Sequence, residues 1–96
     1  MAFFTVRVEL HQVPDHSHAL YTHLHQEMAR RGFSRQIVSD QGGKYQLPSA
    51  EYNYQGTANA EAVLTTAQAA IAAIGKTGYV LVSEATRRVW ALPPAA

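Results

Sequence analysis

The chain has no cysteine among its 96 residues, which excludes a disulfide framework, a thiolate zinc site and a cysteine nucleophile. Charge is also scarce: Lys, Arg, Asp and Glu make up 16% of the residues and balance to +1 at pH 7. Without a run of like charge, bulk electrostatics does not point to nucleic acid; such binding needs a local patch. No apolar run approaches the roughly 20 residues of a membrane span. The opening MAFFTVRVEL alternates and carries a charge early, unlike a signal peptide's basic-then-apolar layout. There is no internal repeat, and no linker long enough to divide domains. What remains is a chain 47% hydrophobic, which is globular rather than disordered. Residues 1–92 read as a single cytoplasmic domain and 93–96 as a short Pro/Ala tail.

Phe3–Leu10 alternates at period two, with Phe4, Val6, Val8 and Leu10 on one face and Phe3, Thr5, Arg7 and Glu9 on the other. That is a half-buried strand with a charged open face. Asp15–Gly32 follows as an amphipathic helix. Ser17, Leu20, Tyr21, Leu24 and Met28 form its stripe, with Pro14 fixing the entry and Asp15 as N-cap. Arg30 and Arg31 suit the negative end of its dipole, and Gly32 is the stop. Phe33–Asp40 reads as a second strand with Phe33 and Ile37 inward. Gln41-Gly42-Gly43 is a hairpin turn, and Lys44–Leu47 is a third strand that breaks at Pro48. Glu51–Gln55 resumes it, with Tyr52 and Tyr54 on one face.

Asn59 caps a second helix, Ala60–Ile74, stopped by Gly75. Its buried stripe is Ala60, Val63, Leu64, Ala67, Ile71 and Ile74, and its outer side is small and almost uncharged. Gly78–Glu84 is a fourth strand, and Arg88–Leu92 a short fifth that adds to a sheet edge of its own chain or of a second subunit. The order β-α-β-β-α-β predicts an α+β, ferredoxin-like sandwich: an antiparallel sheet with two helices on one face.

Four of the five histidines fall in the first helical segment, and His11 lies just before it. His18 and His25 share one flank, His16 and His23 the other, and each pair is seven residues or about 10.5 Å apart along the axis. One ion needs ligands at i, i+3 or i, i+4, and only His23 and Glu27 have that spacing. No metal site is expected. No serine sits in a nucleophile elbow, and no glycine motif cradles phosphate. Glu9 and Asp15 flank the first strand-to-helix loop, as a strand residue and a helix cap. Tyr45, Tyr52 and Tyr54 would supply stacking aromatics if they lay on the open face, with Arg35, Lys44, Arg87 and Arg88 as local positive charge. A face used for dimerisation would look much the same.

With TVRVEL in the first strand, ARRGFSRQI across the helix-to-strand junction and YQLP before the second helix, the chain resembles the GhoS-type antitoxin endoribonucleases over Phe4–Leu92. Those are small bacterial proteins of ferredoxin-like fold, similar in shape to the small dimeric CRISPR-adaptation nucleases. The resemblance implies an endoribonuclease antitoxin of a toxin–antitoxin system, cutting the messenger RNA of a membrane-acting toxin. Basic residues of the first helix are implicated in that family, and His23 and His25 stand at the corresponding positions. One of them would take the 2′-hydroxyl proton, while Arg7, Arg30, Arg31 and Arg35 bind the RNA and stabilise phosphate charge. His11, Glu9 and Asp15 are next in line as catalytic groups. The implied partner is single-stranded RNA, with neither DNA nor membrane, and the implied assembly is a homodimer. No cofactor is called for, and the use of a divalent metal stays open. The alternatives from the same fold are a non-catalytic RNA- or protein-binding module and a dimeric small-ligand-binding protein.

Overall fold

The alternation of the first strand sets the layers. The computed structural model describes residues 2–13, 15 and 18–95, and in it β1 (Ala2–Leu10) is the central strand of a three-stranded antiparallel sheet. Phe4, Val6, Val8 and Leu10 are buried on one side, as their spacing requires. The neighbours of β1 are β4 (Glu51–Gly56) and β5 (Gly78–Ala85). The register sets Arg7 opposite both Glu51 and Leu81, and Glu9 opposite Tyr79.

The buried face of β1 meets two helices. In α1 (Ala19–Arg30), Tyr21, Leu24 and Met28 are buried, spaced three and four apart. In α2 (Ala60–Ala73) the buried set is Val63, Ala67, Ala70 and Ile71. These side chains form one core with the β1 set, Phe33 and Tyr52. The Tyr21 hydroxyl accepts the Leu10 N–H at 2.8 Å and so ties α1 to the end of β1. Asn59 caps α2 as its sequence promises, its Oδ1 accepting from Ala62 N–H at 2.8 Å.

The cap of α1 differs from expectation. His18, not Asp15, is the N-cap: its ring Nδ1 accepts the Leu20 N–H at 3.1 Å. Asp15 lies before the helix, where its carbonyl accepts from His18 N–H at 3.0 Å. A ring nitrogen satisfies the orphaned donor as a carboxylate would, so the helix is capped three residues later. Pro14, His16 and Ser17, given roles in that segment, lie outside the described residues. At the other end, Gly32 at φ +90° lets Phe33 N–H return to the Met28 carbonyl at 3.0 Å.

A hairpin of β2 (Gln36–Val38) and β3 (Lys44–Gln46) follows, turning at Gly42 with φ +85°. Ser34 and Asn53 exchange backbone hydrogen bonds of 2.8 and 2.6 Å, which join the hairpin to β4. The break expected at Pro48 is complete: β3 pairs with β2, whereas β4 pairs with β1. Two helices on one face of a mainly antiparallel sheet make the α+β, ferredoxin-like sandwich anticipated from the element order.

Arg88–Leu92 forms no strand. The chain instead leaves β5, lays the Arg88 guanidinium over the Phe3 ring and onto Thr5 Oγ1 (3.2 Å), and sets Trp90 edge-on to Tyr45. It then lines the outer edge of β3. Gln46 N–H donates to Pro93 O (2.9 Å) and Ala95 N–H to Lys44 O (3.0 Å). Two consecutive prolines have no N–H to give, which keeps this pairing short.

Close approach of β1 and β5 rests on Gly78, whose missing Cβ would lie 2.7 Å from the Glu9 carbonyl oxygen. Because the obstacle is backbone, Gly78→Ala forces the two strands apart. Urea unfolding should show a loss of about 1 kcal/mol for Gly78→Ala. For Gly42→Ala, open space leaves only the positive φ to oppose the substitution.

Candidate nucleic-acid interface

The side of the sheet away from the helices carries the odd residues of β1 and their partners. Arg7 reaches Glu51 at 3.9 Å, with 61% of its side chain still exposed. On β5, next to it, Tyr79 and Leu81 are 72% and 63% exposed. An exposed ion pair at that distance is weak and leaves the guanidinium available to a stronger anion.

At one end of this face the ring of His11 packs edge-on to Tyr79, 4.4 Å between centroids. Its Nδ1 pairs with Thr77 Oγ1 at 2.9 Å, and its backbone N–H donates to the Thr77 carbonyl at 3.0 Å. Nε2 is shielded from solvent and has no hydrogen-bond partner. A shallow hollow of about 490 Å³ opens here, lined by His11, Gln12, Gly75, Lys76, Thr77 and Tyr79. Gln12 holds φ +63°, a left-handed conformation uncommon outside glycine. The hollow therefore combines one ammonium, one imidazole, a hydroxyl and an aromatic ring.

The residues singled out from the sequence fall into two groups. Arg7, Glu9 and His11 lie together along β1 and its end, next to Tyr79. The others belong to α1 or the helix-covered side. His23 is exposed, whereas His25 is half-buried with Nδ1 2.5 Å from the Tyr52 hydroxyl. Positions two apart on a helix diverge, so these histidines do not share a site. Burial of the His25 ring, helped by the nearby positive charge of Arg35, pulls its pKa down to about 4. His25 is therefore neutral at pH 7, with its Nδ1 against the Tyr52 hydroxyl.

Arg30 and Arg31 both engage Glu27, at 3.0 and 2.8 Å. The hydrogen bond from Arg31, with both positive charges, holds the Glu27 carboxyl below its ordinary range. Arg35 is half-buried, and its Nε has no partner. Asp15 is exposed ahead of α1. Among the described residues no three His, Asp or Glu side chains gather as metal ligands.

The tyrosines are also redistributed. Tyr52 is fully buried, and Tyr54 packs against Phe4 and Phe33 at 5.9 and 5.3 Å. Both face the helices and are unavailable for stacking. Tyr79 takes that role. Its alternation with Leu81 and Ser83 in GYVLVSE was the signal, but Val80 and Val82 are equally apolar, so composition does not tell which side faces water. No protein-family model, curated protein or solved structure matches the chain.

Proposed function

We propose that the chain binds single-stranded RNA along the open face of its sheet. The observation that carries this reading is the exposed Tyr79 ring between the Lys76–His11 hollow and Arg7. A base stacks on the aromatic face, while phosphates to either side meet a lysine and an arginine. The antitoxin endoribonuclease reading extends the same site. His11 Nε2, shielded in this structure, becomes the base once the Tyr79 ring turns off the imidazole to stack on RNA. It takes the ribose 2′-hydroxyl proton, the 2′-oxygen attacks the adjacent phosphorus, and the 5′-oxygen leaves with a proton from water. Lys76 then offsets the negative charge developing on phosphate. His11 serves this role better than His23 and His25, which point to different surroundings, and His25 Nδ1 is already engaged by the Tyr52 hydroxyl.

A fluorescent single-stranded RNA titrated with the full chain tests the binding. With two or three phosphates neutralised, affinity should fall with salt at a log–log slope of about −2. Tyr79→Ala should weaken binding roughly tenfold, the effect of losing one stacked base, with the fold intact. Cleavage products that vanish in His11→Ala and persist in the His23→Ala, His25→Ala double variant support the catalytic extension. Binding that ignores Tyr79→Ala would place RNA elsewhere or nowhere.

A further inference from the structure

We infer that β5 is the seat of a homodimer, pairing edge to edge with β5 of a second copy so that two sheets become one. The sheet system has two ends, and they are treated differently. At the β3 end the chain's own residues 93–95 cover the edge. At the other end β5 pairs with β1 alone, and among the described residues no strand lies on its outer side. Eight residues long, it turns every second backbone N–H and C=O outward, and such an edge is a template for another strand.

The sequence of β5 selects the second copy as its occupant. A two-fold axis perpendicular to the sheet keeps each face on its own side, so facing residues must be an even number apart in the numbering. Centring the axis on Val80 sets each Tyr79 against Leu81 of the other copy, covering the flanks of the two most exposed apolar side chains of the strand. On the helix side Val80 meets Val80, and Gly78 meets Val82. Glu84, the sole charged residue of β5, then comes level with the residues just ahead of β5 in the second copy, where Lys76 lies. Moving the axis to Leu81 puts Tyr79 against Ser83; moving it to Val82 puts Glu84 against Val80. Neither alternative is matched in charge and shape. Edge pairing also brings together the α2 helices that pack over each β5. Their exposed residues include Ala62, Thr65, Ala69, Ala72 and Ala73, short enough to admit close approach.

The seam shares Lys76 and Tyr79 with the proposed RNA site, but it is tested without RNA, by mass alone. Sedimentation or light scattering of the full chain should give twice 10.5 kDa at micromolar concentration. Leu81→Lys and Glu84→Lys alter exposed side chains and should keep the circular dichroism and thermal transition of the fold. Each should raise the dimer dissociation constant at least tenfold. Combining Glu84→Lys with Lys76→Glu should return it to within threefold of the original. A monomer at every concentration up to the millimolar range overturns the inference. So does a dimer unmoved by Leu81→Lys, or a charge exchange that fails to restore association.

Discussion

Phe4→Ala should cost this domain about 3–5 kcal/mol of stability, the range for truncating a fully buried aromatic to alanine. Phe4 has no exposed surface, sits on the central strand with β4 on one side and β5 on the other, and packs 5.9 Å from the Tyr54 ring. Its removal leaves a void bounded on both flanks by hydrogen-bonded strands, which cannot close around it. Domains of this size are stable by only about 5–15 kcal/mol, so the variant loses a large share of its total. Urea unfolding should show the midpoint falling with the slope unchanged. Phe4→Leu, which keeps most of the volume, should recover much of the loss. Arg7→Ala, on the same strand but turned to water, should stay within about 0.5 kcal/mol. If Phe4→Ala unfolds at the midpoint of the original chain, the core is not centred on β1.

Acidification should weaken the fold through His25, by about 2 kcal/mol. In the unfolded chain an ordinary histidine takes up its proton near pH 6.5; in the fold His25 does so only near pH 4. Between those values the unfolded state binds more protons, so stability is full above about pH 6.5 and falls as the pH drops towards 4. The whole difference corresponds to about 3 kcal/mol, and solvent reaching the half-buried ring reduces it to about 2. The Tyr52 hydroxyl against Nδ1 is buried with it, and its own pKa is raised by the same loss of water. Carboxyl groups of the unfolded chain begin to take up protons at the lower end of this range, so the test is a difference. His25→Asn should flatten the pH 6.5-to-4 segment of the stability curve and leave the remainder in place. An unchanged curve would mean that the imidazole is solvated in the fold.

The candidate interface divides the chain's histidines by environment rather than by number. Clustering in sequence made the first helix conspicuous, yet His18 caps the helix, His23 is solvated and His25 is half-buried and neutral against Tyr52. His11, outside the helix, is the one that meets an exposed aromatic and a hollow. A strand end and a second strand's start had to be brought together to form that site, with Thr77 sixty-six residues away holding the ring.

Read by itself, the sequence determines the local structure wherever periodicity and end signals agree. The alternation of Phe4, Val6, Val8 and Leu10 is enough to name the buried face of β1. Tyr21, Leu24 and Met28 in the first helix and Val63, Ala67 and Ile71 in the second follow from spacing, and the Asn59 cap, the stops at Gly32 and Gly75 and the turn at Gly42 from end signals and backbone freedom. Ala70, by contrast, is buried outside the stripe its spacing predicts, and Ala60, Leu64 and Ile74 are only half-buried. The tertiary structure alone decides which face of a uniformly apolar strand meets water. It turns Tyr79 and Leu81 outward and Tyr52 inward, because a strand's exposure depends on what packs across the sheet rather than on its own composition. It alone assigns the helix cap to His18, since competing acceptors near a helix start are resolved by chain direction. It also decides the course of the C-terminal segment. Trp90 and the carbonyl of Pro93 find partners on β3, forty-five and forty-seven residues earlier, and contacts that distant leave no periodicity in the chain to announce them.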